Sequence, residues 1–199
     1  MNEEITIIIP SHNRHHILNR AIEYFTKLNF LVVIVDSTKK PLNIQLPNNI
    51  KYIHLPGSFF SNKIYYGLEV TTTSFSCLCA DDDFLSESGL NAGKEFLQKK
   101  MDFVSVQGNY IHFNPANPIE LYSALYKKMN HYNNDSELPE ARVMNAFEIP
   151  HIFALHRTSV LKSAVNISLD IPYLSVVEKT IALVTMCYGK HKVLPVFWS

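Results

Sequence analysis

The sequence predicts an α/β protein whose central sheet is mostly parallel. Short runs of β-branched and other apolar residues have the composition of strands that are buried on both faces. Amphipathic segments lie between these runs, and such an alternation of strand and helix is typical of a parallel sheet with helices on both sides. Polar clusters follow several of the runs directly. In sheets of this kind, ligands bind beyond the carboxyl ends of the strands.

The first half of the chain alternates regularly. The run "ITIIIP" over 5–10 predicts the first strand, which Pro10 closes, and apolar residues at helical spacing predict a helix over 15–28. The other elements predicted here are strands over 30–36, 50–55, 74–80 and 102–108 and helices over 61–70 and 88–100. We expect the strands near 5–9, 31–35, 74–80 and 102–107 to be neighbours in the sheet.

The second half is less regular. Prolines interrupt the polar segment 114–142, for which we expect one short helix around 119–130 with loops beside it. The alternation over 151–157 predicts a strand. Apolar residues along one side predict a helix over 173–189 that ends at Gly189, and a last strand follows over 191–198.

Composition limits the classes of function. The 199 residues are 47% hydrophobic, which is enough for a core, and 18 basic residues balance 18 acidic ones. This balance argues against a nucleic-acid partner. No apolar run is long enough to cross a bilayer. The three cysteines form neither a disulfide framework nor a C-x-x-C motif. A reducing cytoplasm therefore fits, and the cytoplasmic face of a membrane, reached through a partner, stays open.

Three polar clusters follow predicted strands: "PSHNR" over 10–14, "DSTKK" over 36–40 and "DDD" over 81–83. The parallel order predicts that they converge on one crevice. The acidic triplet has two interpretations, either a solvated loop that caps the next helix or a site for a divalent cation. Hard oxygen ligands suit Mg²⁺ or Mn²⁺, and the i, i+2 spacing predicts that Asp81 and Asp83 approach one site while Asp82 points elsewhere.

These segments, together with "SNKIYYGLEV" before the acidic strand, resemble the nucleotide-binding half of a family 2, GT-A-type glycosyltransferase. The resemblance covers about residues 4–110 well and continues more loosely through "VVEKTIALVTMCYGKHKVLP". It implies a three-layer Rossmann-like GT-A fold with one domain over 1–199. Residues 1–110 would then be the nucleotide-sugar-binding half and 111–199 the acceptor-side half.

The resemblance also implies a role for each matching residue. The positions expected near the nucleotide are Pro10, Ser11, Asn13, Arg14, Asp36, Lys63, Asp81 and Asp82. Asp36 would accept a hydrogen bond from the base, and Asp81 and Asp83 would hold Mn²⁺ or Mg²⁺. Simpler roles stay open for some of them. In these alternatives Ser11 or Asn13 would cap the first helix, Asp36 would only form a turn, and Lys63 would only be a solvated helix residue.

Glu178 is the expected general base, since it matches the late acidic motif of the family. The family usually has Glu-Asp at this point, but this chain has Glu178 followed by Lys179, which would lower the basicity of Glu178. Glu148 and Asp170 are the alternatives. A second departure is the segment "PVFWS", after which family members usually continue. Trp198 is therefore expected at an edge, and the chain is either complete or one domain of a longer protein.

The leading hypothesis is a metal-dependent glycosyltransferase of the hexosyltransferase type that inverts the anomeric centre. It would move a sugar from a nucleotide-diphosphate donor, expected to be a UDP-sugar, to a hydroxyl of a glycan or lipid-linked acceptor in cell-surface polysaccharide synthesis. A sugar nucleotidyltransferase is the second hypothesis, although "PSHNRHH" lacks the glycines of its phosphate loop. A non-catalytic binding domain of the same fold is the third. Further domains of a longer chain or a second copy stay open as partners.

Overall fold

The structure is a computed structural model that describes residues 2–111, 126–127, 132–148 and 151–199. The strands are β1 (Asn2–Ser11), β2 (Phe30–Asp36), β3 (Ile50–His54), β4 (Phe75–Leu78), β5 (Phe103–Ile111), β6 (Tyr126–Lys127), β7 (Leu155–Arg157) and β8 (Lys190–Phe197). The helices are α1 (His15–Thr26), α2 (Phe60–Glu69), α3 (Glu87–Lys99), α4 (Pro139–Glu148), α5 (Thr158–Ile167) and α6 (Leu174–Tyr188).

The strand order in the sheet is β3-β2-β1-β4-β7-β5-β6, and β8 pairs with β5. Strands β3, β2, β1 and β4 are mutually parallel, and β8 is parallel to β5. The expectation that β4 and β5 are neighbours is wrong, because β7 lies between them and is antiparallel to both. Because β7 has only three residues, its sequence pattern is too short to predict that it lies between β4 and β5.

Helices cover both faces of the sheet, so the molecule has three layers. Ile7 and Ile9 of β1 point to one face, where they form a core with α1 and α3. Ile8 points to the other face, where it forms a second core with α2, α5 and α6. Strand β1 is apolar throughout because it is covered on both sides. Within the described residues no helix combines the length and the apolar character that a membrane crossing needs.

The second half differs most from the sequence-based expectations. Helices α4 and α5 were not expected, and the strand expected over 151–157 is reduced to Leu155–Arg157. The helix expected around 119–130 lies outside the described residues except at 126–127. Those two residues form β6, which pairs antiparallel with the end of β5, so the helix is wrong at that point.

Trp198 is a core residue and does not lie at an edge. Its side chain is fully buried among the helix α3 and strand β5 residues, and it contributes to the same core as β1. A Cβ atom added at Gly93 of α3 would come within 3.2 Å of the Trp198 ring. The indole therefore takes space that only a glycine leaves free, and it fastens β8 to α3.

Candidate active site

Strands β1, β2 and β4 bring the three polar clusters to one edge of the sheet. Ser11 at the end of β1 is the register partner of Asp36 at the end of β2, and the preceding pair is Pro10 with Val35. The hydroxyl of Ser11 donates a hydrogen bond to Asp81 Oδ2 at 2.6 Å, across 70 residues of sequence. The expected convergence at the carboxyl ends of the parallel strands is present in the structure.

A turn beyond β4 presents the acidic triplet. Asp81 is buried, and its Oδ1 lies 3.1 Å from the Arg14 guanidinium, which also donates to Asp82 Oδ2 at 2.5 Å. Adjacent carboxylates share one cation because residues 81–82 form a turn and not a strand. Asp82 therefore shares a cationic partner with Asp81. The hydrogen bond to Asp82 and the nearby carboxylates raise the pKa of Arg14, although burial opposes this.

Helix capping does not explain the polar residues of this edge. Ser86 is the N-cap of α3, where its hydroxyl accepts a hydrogen bond from the Gly89 N–H at 3.2 Å. The acidic triplet is thus not the cap of that helix. Arg14 is the N-cap of α1 and makes no side-chain capping bond, so neither Ser11 nor Asn13 has that role. The capping interpretation is wrong for both helices.

Lys63 of α2 is buried beneath the end of β1. Its ammonium donates to the Ser11 carbonyl oxygen at 2.8 Å, so it is not a solvated helix residue. Burial lowers the pKa of Lys63, while Asp36 and Asp81 act in the opposite direction. Lys63 and Arg14 place two basic side chains at the edge where the acidic turn ends.

Asp36 is fully buried, and its carboxylate is surrounded by hydrogen-bond partners from the chain. Its Oδ1 accepts from the Thr38 N–H at 2.9 Å and from the Thr38 hydroxyl at 2.5 Å. Its Oδ2 accepts from the Tyr52 hydroxyl at 2.7 Å and lies 2.8 Å from His15 Nε2. Burial alone would raise the pKa of Asp36, but these hydrogen bonds outweigh it and lower the pKa below its usual value. We call Ser11, Arg14, Asp36, Lys63 and Asp81 the edge cluster.

His15, Thr38 and Tyr52 are part of this site although no sequence motif points to them. They meet Asp36 from α1, from the loop after β2 and from β3, and no motif connects those segments. Asn13 supports the same network, since its backbone N–H donates to the Thr38 hydroxyl at 2.8 Å. Its φ of 55° is in the left-handed region that asparagine tolerates better than most residues.

The acidic turn fits a divalent cation only together with other oxygen ligands. Among the residues that the structure describes, no group of three or more His, Cys, Asp and Glu side chains could hold a metal ion. Each oxygen of Asp81 has one partner in the chain and keeps a lone pair. Asp81 and Asp83 suit Mg²⁺ or Mn²⁺, since such ions take one or two carboxylates and complete their shell with substrate phosphates and water.

Glu178 lies in the first turns of α6 and is half-buried. Burial raises the pKa of its carboxyl. The ammonium of Lys179 lies 4.3 Å from the centre of the Phe147 ring of α4, so it contacts an aromatic face across the helix pair. Within the described part of the chain, no hydrogen bond or ion pair joins Glu178 to the edge cluster.

The two alternatives to Glu178 lie in different settings. Asp170 is exposed, has a φ of 60° and accepts a hydrogen bond from Asn62 Nδ2 at 3.0 Å. Glu148 is the last residue of α4, and its side chain lies outside the described residues. Glu178 differs from the exposed Asp170 in its partial burial, which makes its carboxylate more basic.

A second polar group crosses the sheet on the face that packs against α2, α5 and α6. Register pairs connect Ser76 of β4 to His156 of β7, His156 to Ser105 of β5, and Ser105 to His191 of β8. The ring of His151 stacks on that of His191 with centroids 4.1 Å apart. All five residues are buried. We call Ser76, Ser105, His151, His156 and His191 the histidine row.

Most ring nitrogens of the histidine row have no hydrogen-bond partner among the described residues. The unpaired atoms are both ring nitrogens of His151, Nδ1 of His156, Nε2 of His191 and the hydroxyl of Ser76. Burial lowers the pKa of His151 to about 3 and that of His156 to about 4, and it holds the pKa of His191 well below its usual value.

The chain matches the family model "Glycosyl transferase family 2" over residues 6–162. Because this match covers most of the sequence, the chain belongs to glycosyl transferase family 2. No curated protein matches it by sequence.

Solved structures of glycosyltransferases have the same fold. A fragment of S. aureus TarS, residues 1–349, aligns with a TM-score of 0.70 at 14% identity, covering 98% of this chain and 59% of that one. The same fragment in complex with UDP-GlcNAc aligns with a TM-score of 0.68 at 16% identity, covering 98% and 57%. The mannosyltransferase PcManGT from Pyrobaculum calidifontis, in complex with GDP-Man and Mn²⁺, gives 0.61 at 12% identity, covering 98% and 56%.

These likenesses establish the three-layer GT-A fold of the chain. At identities of 12–16% they do not extend to activity. The chain spans less than three fifths of the length of each of these solved chains.

Proposed function

We propose that this protein transfers a sugar from a nucleotide-diphosphate donor to an acceptor hydroxyl. The observation that carries the proposal is the edge cluster, in which Ser11, Arg14, Lys63 and Asp81 meet at the carboxyl edge of a family 2 chain. TarS and PcManGT form complexes with UDP-GlcNAc and GDP-Man, which supports a nucleotide-sugar donor for this chain as well. Uridine diphosphate is the expected carrier.

The edge cluster provides the groups that a diphosphate needs. Arg14 and Lys63 supply positive charge, and Ser11 keeps the Asp81 carboxylate in place. Pro10, Asn13 and Asp82 form the rim around them in this proposal. Asp81 and Asp83 would hold Mn²⁺ or Mg²⁺, whose chemistry when bound is to neutralise charge that develops on the leaving diphosphate.

Glu178 acts as the general base in this proposal. It takes the proton of the acceptor hydroxyl while the acceptor oxygen forms a bond to the anomeric carbon. The bond from that carbon to the diphosphate oxygen breaks in the same step, so the anomeric configuration inverts. The raised pKa of Glu178 suits this role near neutral pH, since a more basic carboxylate accepts a proton more readily.

The proposal defines the acceptor substrate only by its chemical class. We assign 1–110 to donor binding and 111–199 to the acceptor side of one catalytic domain. The acceptor is a glycan or a lipid-linked sugar, and the product enters cell-surface polysaccharide synthesis on the cytoplasmic side. Other domains of a longer chain, or a second copy, would complete the acceptor site.

Donor binding is tested by thermal unfolding with UDP, GDP and dTDP, each with Mn²⁺ and with EDTA. A ligand that binds the native state raises the melting temperature, and the rise grows with concentration. Asp83→Ala should reduce this rise more with Mn²⁺ than with EDTA. Asp135→Ala is the matched control, because Asp135 is an exposed carboxylate that pairs with Lys192 at 3.3 Å. The absence of a shift with every nucleotide would contradict the proposal and favour a non-catalytic domain.

Transfer is tested with Glu178→Gln, which keeps the shape and removes the basic group. We expect donor binding to be nearly unchanged and transfer to fall by roughly 10²–10⁴-fold, the usual contribution of a general base. Asp170→Asn is the control and should retain most of the activity. A wild-type transfer rate in Glu178→Gln would place the base elsewhere.

A further inference from the structure

Helix α1 anchors the acidic turn just after its last carboxylate. The Tyr24 hydroxyl donates a hydrogen bond to the Leu85 carbonyl oxygen at 2.7 Å, across 61 residues of sequence. Burial raises the pKa of Tyr24 above its usual value, so the hydroxyl stays protonated and remains a donor. Leu85 itself is buried in the core that α1 shares with β1. The backbone two residues after Asp83 is therefore fixed to α1.

The same helix holds the side chain of Phe84, the residue between Asp83 and Leu85. The rings of Tyr24 and Phe84 meet edge to face, with centroids 4.8 Å apart. The guanidinium carbon of Arg20 lies 5.9 Å from the centre of the Phe84 ring. Arg20 and Tyr24 are four residues apart on α1, so they lie on one side of the helix. Tyr24 thus contacts both residues that directly follow Asp83.

The position of the Asp83 carboxylate depends on these backbone anchors. Asp83 is exposed, so the core does not enclose its side chain. Before it, the turn is closed by the Asp83 N–H, which donates to the Ala80 carbonyl oxygen at 3.2 Å. Arg14, the N-cap of α1, pairs with the two carboxylates that precede Asp83. One helix therefore holds the acidic turn at both ends, through Arg14 at its start and through Tyr24 at its end.

We infer that Tyr24 is a positioning residue for Asp83, because its hydroxyl and ring fix the backbone from which that carboxylate projects. This inference rests on the proposed function, in which Asp83 would hold Mn²⁺ or Mg²⁺. Groups that orient a metal ligand without touching the metal contribute to metal affinity. Tyr24 acts through Asp83 and does not contact the donor. It should therefore contribute only to the part of donor affinity that depends on the metal.

The test measures UDP affinity by calorimetry with Mn²⁺ and with EDTA, for the wild-type protein and for Tyr24→Phe. Phenylalanine keeps the ring against Phe84 and removes only the hydroxyl. We expect Mn²⁺ to strengthen UDP binding to the wild-type protein and the variant to lose roughly three- to tenfold of this gain, the size of one neutral hydrogen bond. UDP affinity in EDTA should not change. Tyr188→Phe is the matched control, because Tyr188 is 56% exposed at the end of α6.

A double variant separates positioning from a general structural role. Asp83→Ala removes the carboxylate that Tyr24 positions. In this background Tyr24→Phe should leave UDP affinity unchanged, with Mn²⁺ as well as with EDTA, so the two substitutions should not be additive. A general structural role of Tyr24 would instead lower UDP affinity in both backgrounds and under both conditions.

Three results would overturn the inference while leaving donor binding intact. The first is a wild-type gain from Mn²⁺ in Tyr24→Phe, and the second is an equal loss of UDP affinity with Mn²⁺ and with EDTA. The third is UDP binding to the wild-type protein that Mn²⁺ does not strengthen, since Asp83 would then hold no metal for the donor. If no nucleoside diphosphate binds the wild-type protein, the proposed function fails together with the inference, before any variant is compared.

Discussion

The edge cluster and the histidine row are both buried polar groups, but the edge cluster contains charged side chains whereas the rings of the histidine row are neutral. In the edge cluster, hydroxyl and amide donors keep the Asp36 carboxylate ionised, and Asp81 pairs with the Arg14 guanidinium. In the histidine row, burial disfavours the charged form and the three rings are neutral at physiological pH. The edge cluster lies at the open edge of the sheet, whereas the histidine row lies beneath α5 and α6.

The contrast shows what a functional site requires. Under the proposed function, the charge retained at the edge serves a ligand with phosphates, and the protein uses many hydrogen bonds to hold it there. A buried ring can remain neutral without a charged partner, but each unpaired nitrogen costs free energy. Acid should therefore reduce the stability that each group contributes at a different pH. Mutations in the two groups should lower the free energy of unfolding by different amounts.

Acid should produce the largest effect, and it should act through the histidine row. The ordinary histidine pKa is 6.5, and the folded-state values of His151 and His156 are about 3 and about 4. Their stabilisation is complete above pH 6.5 and is lost as the pH falls toward the folded-state values. Between pH 7 and pH 5 His151 and His156 should each cost about 2 kcal/mol, and His191 adds a loss in the same direction.

Urea unfolding across this pH range measures the effect. Its slope with pH should approach an uptake of about three protons on unfolding as the pH nears 5. His16→Asn, a change at an exposed histidine, should not alter the slope. A slope of one proton or fewer would mean that the ring nitrogens have partners in solution. The edge cluster should not contribute here, because the lowered pKa of Asp36 makes its loss begin only below about pH 3.8.

Asp36→Asn should have the next largest effect. The amide cannot accept from all four donors, so Tyr52, Thr38 or His15 loses a partner in a buried site. We expect the free energy of unfolding to fall by about 1–3 kcal/mol at pH 7. Asp82→Asn is the control from the same edge, since half of the Asp82 side chain is exposed. Equal losses for the two variants would contradict the central role of Asp36.

Ser105→Ala tests the single side-chain bond inside the histidine row. The Ser105 hydroxyl lies 2.8 Å from His191 Nδ1, and its removal leaves both ring nitrogens of that buried residue unpaired. A loss of about 1 kcal/mol is expected in thermal or urea unfolding. Ser76→Ala makes a matched comparison, because the Ser76 hydroxyl has no partner within the described residues and its removal should cost nothing. The comparison fails if Ser76→Ala is the more destabilising change.

Arg14→Gln should have the smallest effect on stability. The Arg14 side chain is 39% exposed, so water and salt screen its attraction to Asp81 and Asp82. We expect a change of less than about 1 kcal/mol in the free energy of unfolding. A loss of several kcal/mol would show that the edge cluster depends on this cation for folding as well as for ligand binding.

The sequence predicted the first half of the fold because its signals are local. Strands β1, β2 and β4 are continuous apolar runs, and their parallel order places Ser11, Asp36 and Asp81 at one edge. The second half gave weaker signals. Helix α4 has exposed apolar residues such as Met144 and Phe147, which obscure its periodicity, and β7 has only three residues.

Residue roles were predicted where a motif carries them and missed where contacts across the sheet create them. The interaction of Asp36 with His15 and Tyr52 joins three segments that share no spacing rule. The histidine row needs the register of β7 between β4 and β5, which the sequence did not reveal. The shared pairing of Asp81 and Asp82 with Arg14 depends on the geometry of the turn after β4, which residue spacing alone does not give.

The backbone of Trp198 anchors the segment that follows the acidic turn. Its N–H donates to the Asn109 carbonyl at 2.8 Å, and its carbonyl accepts from the N–H of Ser86 at 2.7 Å. A ribosome makes the acidic turn long before it reaches residue 198, and domains form from the N-terminus as synthesis proceeds. On a growing chain Ser86 therefore lacks this partner, and the order of translation delays completion of the segment after the acidic turn until residue 198 has emerged.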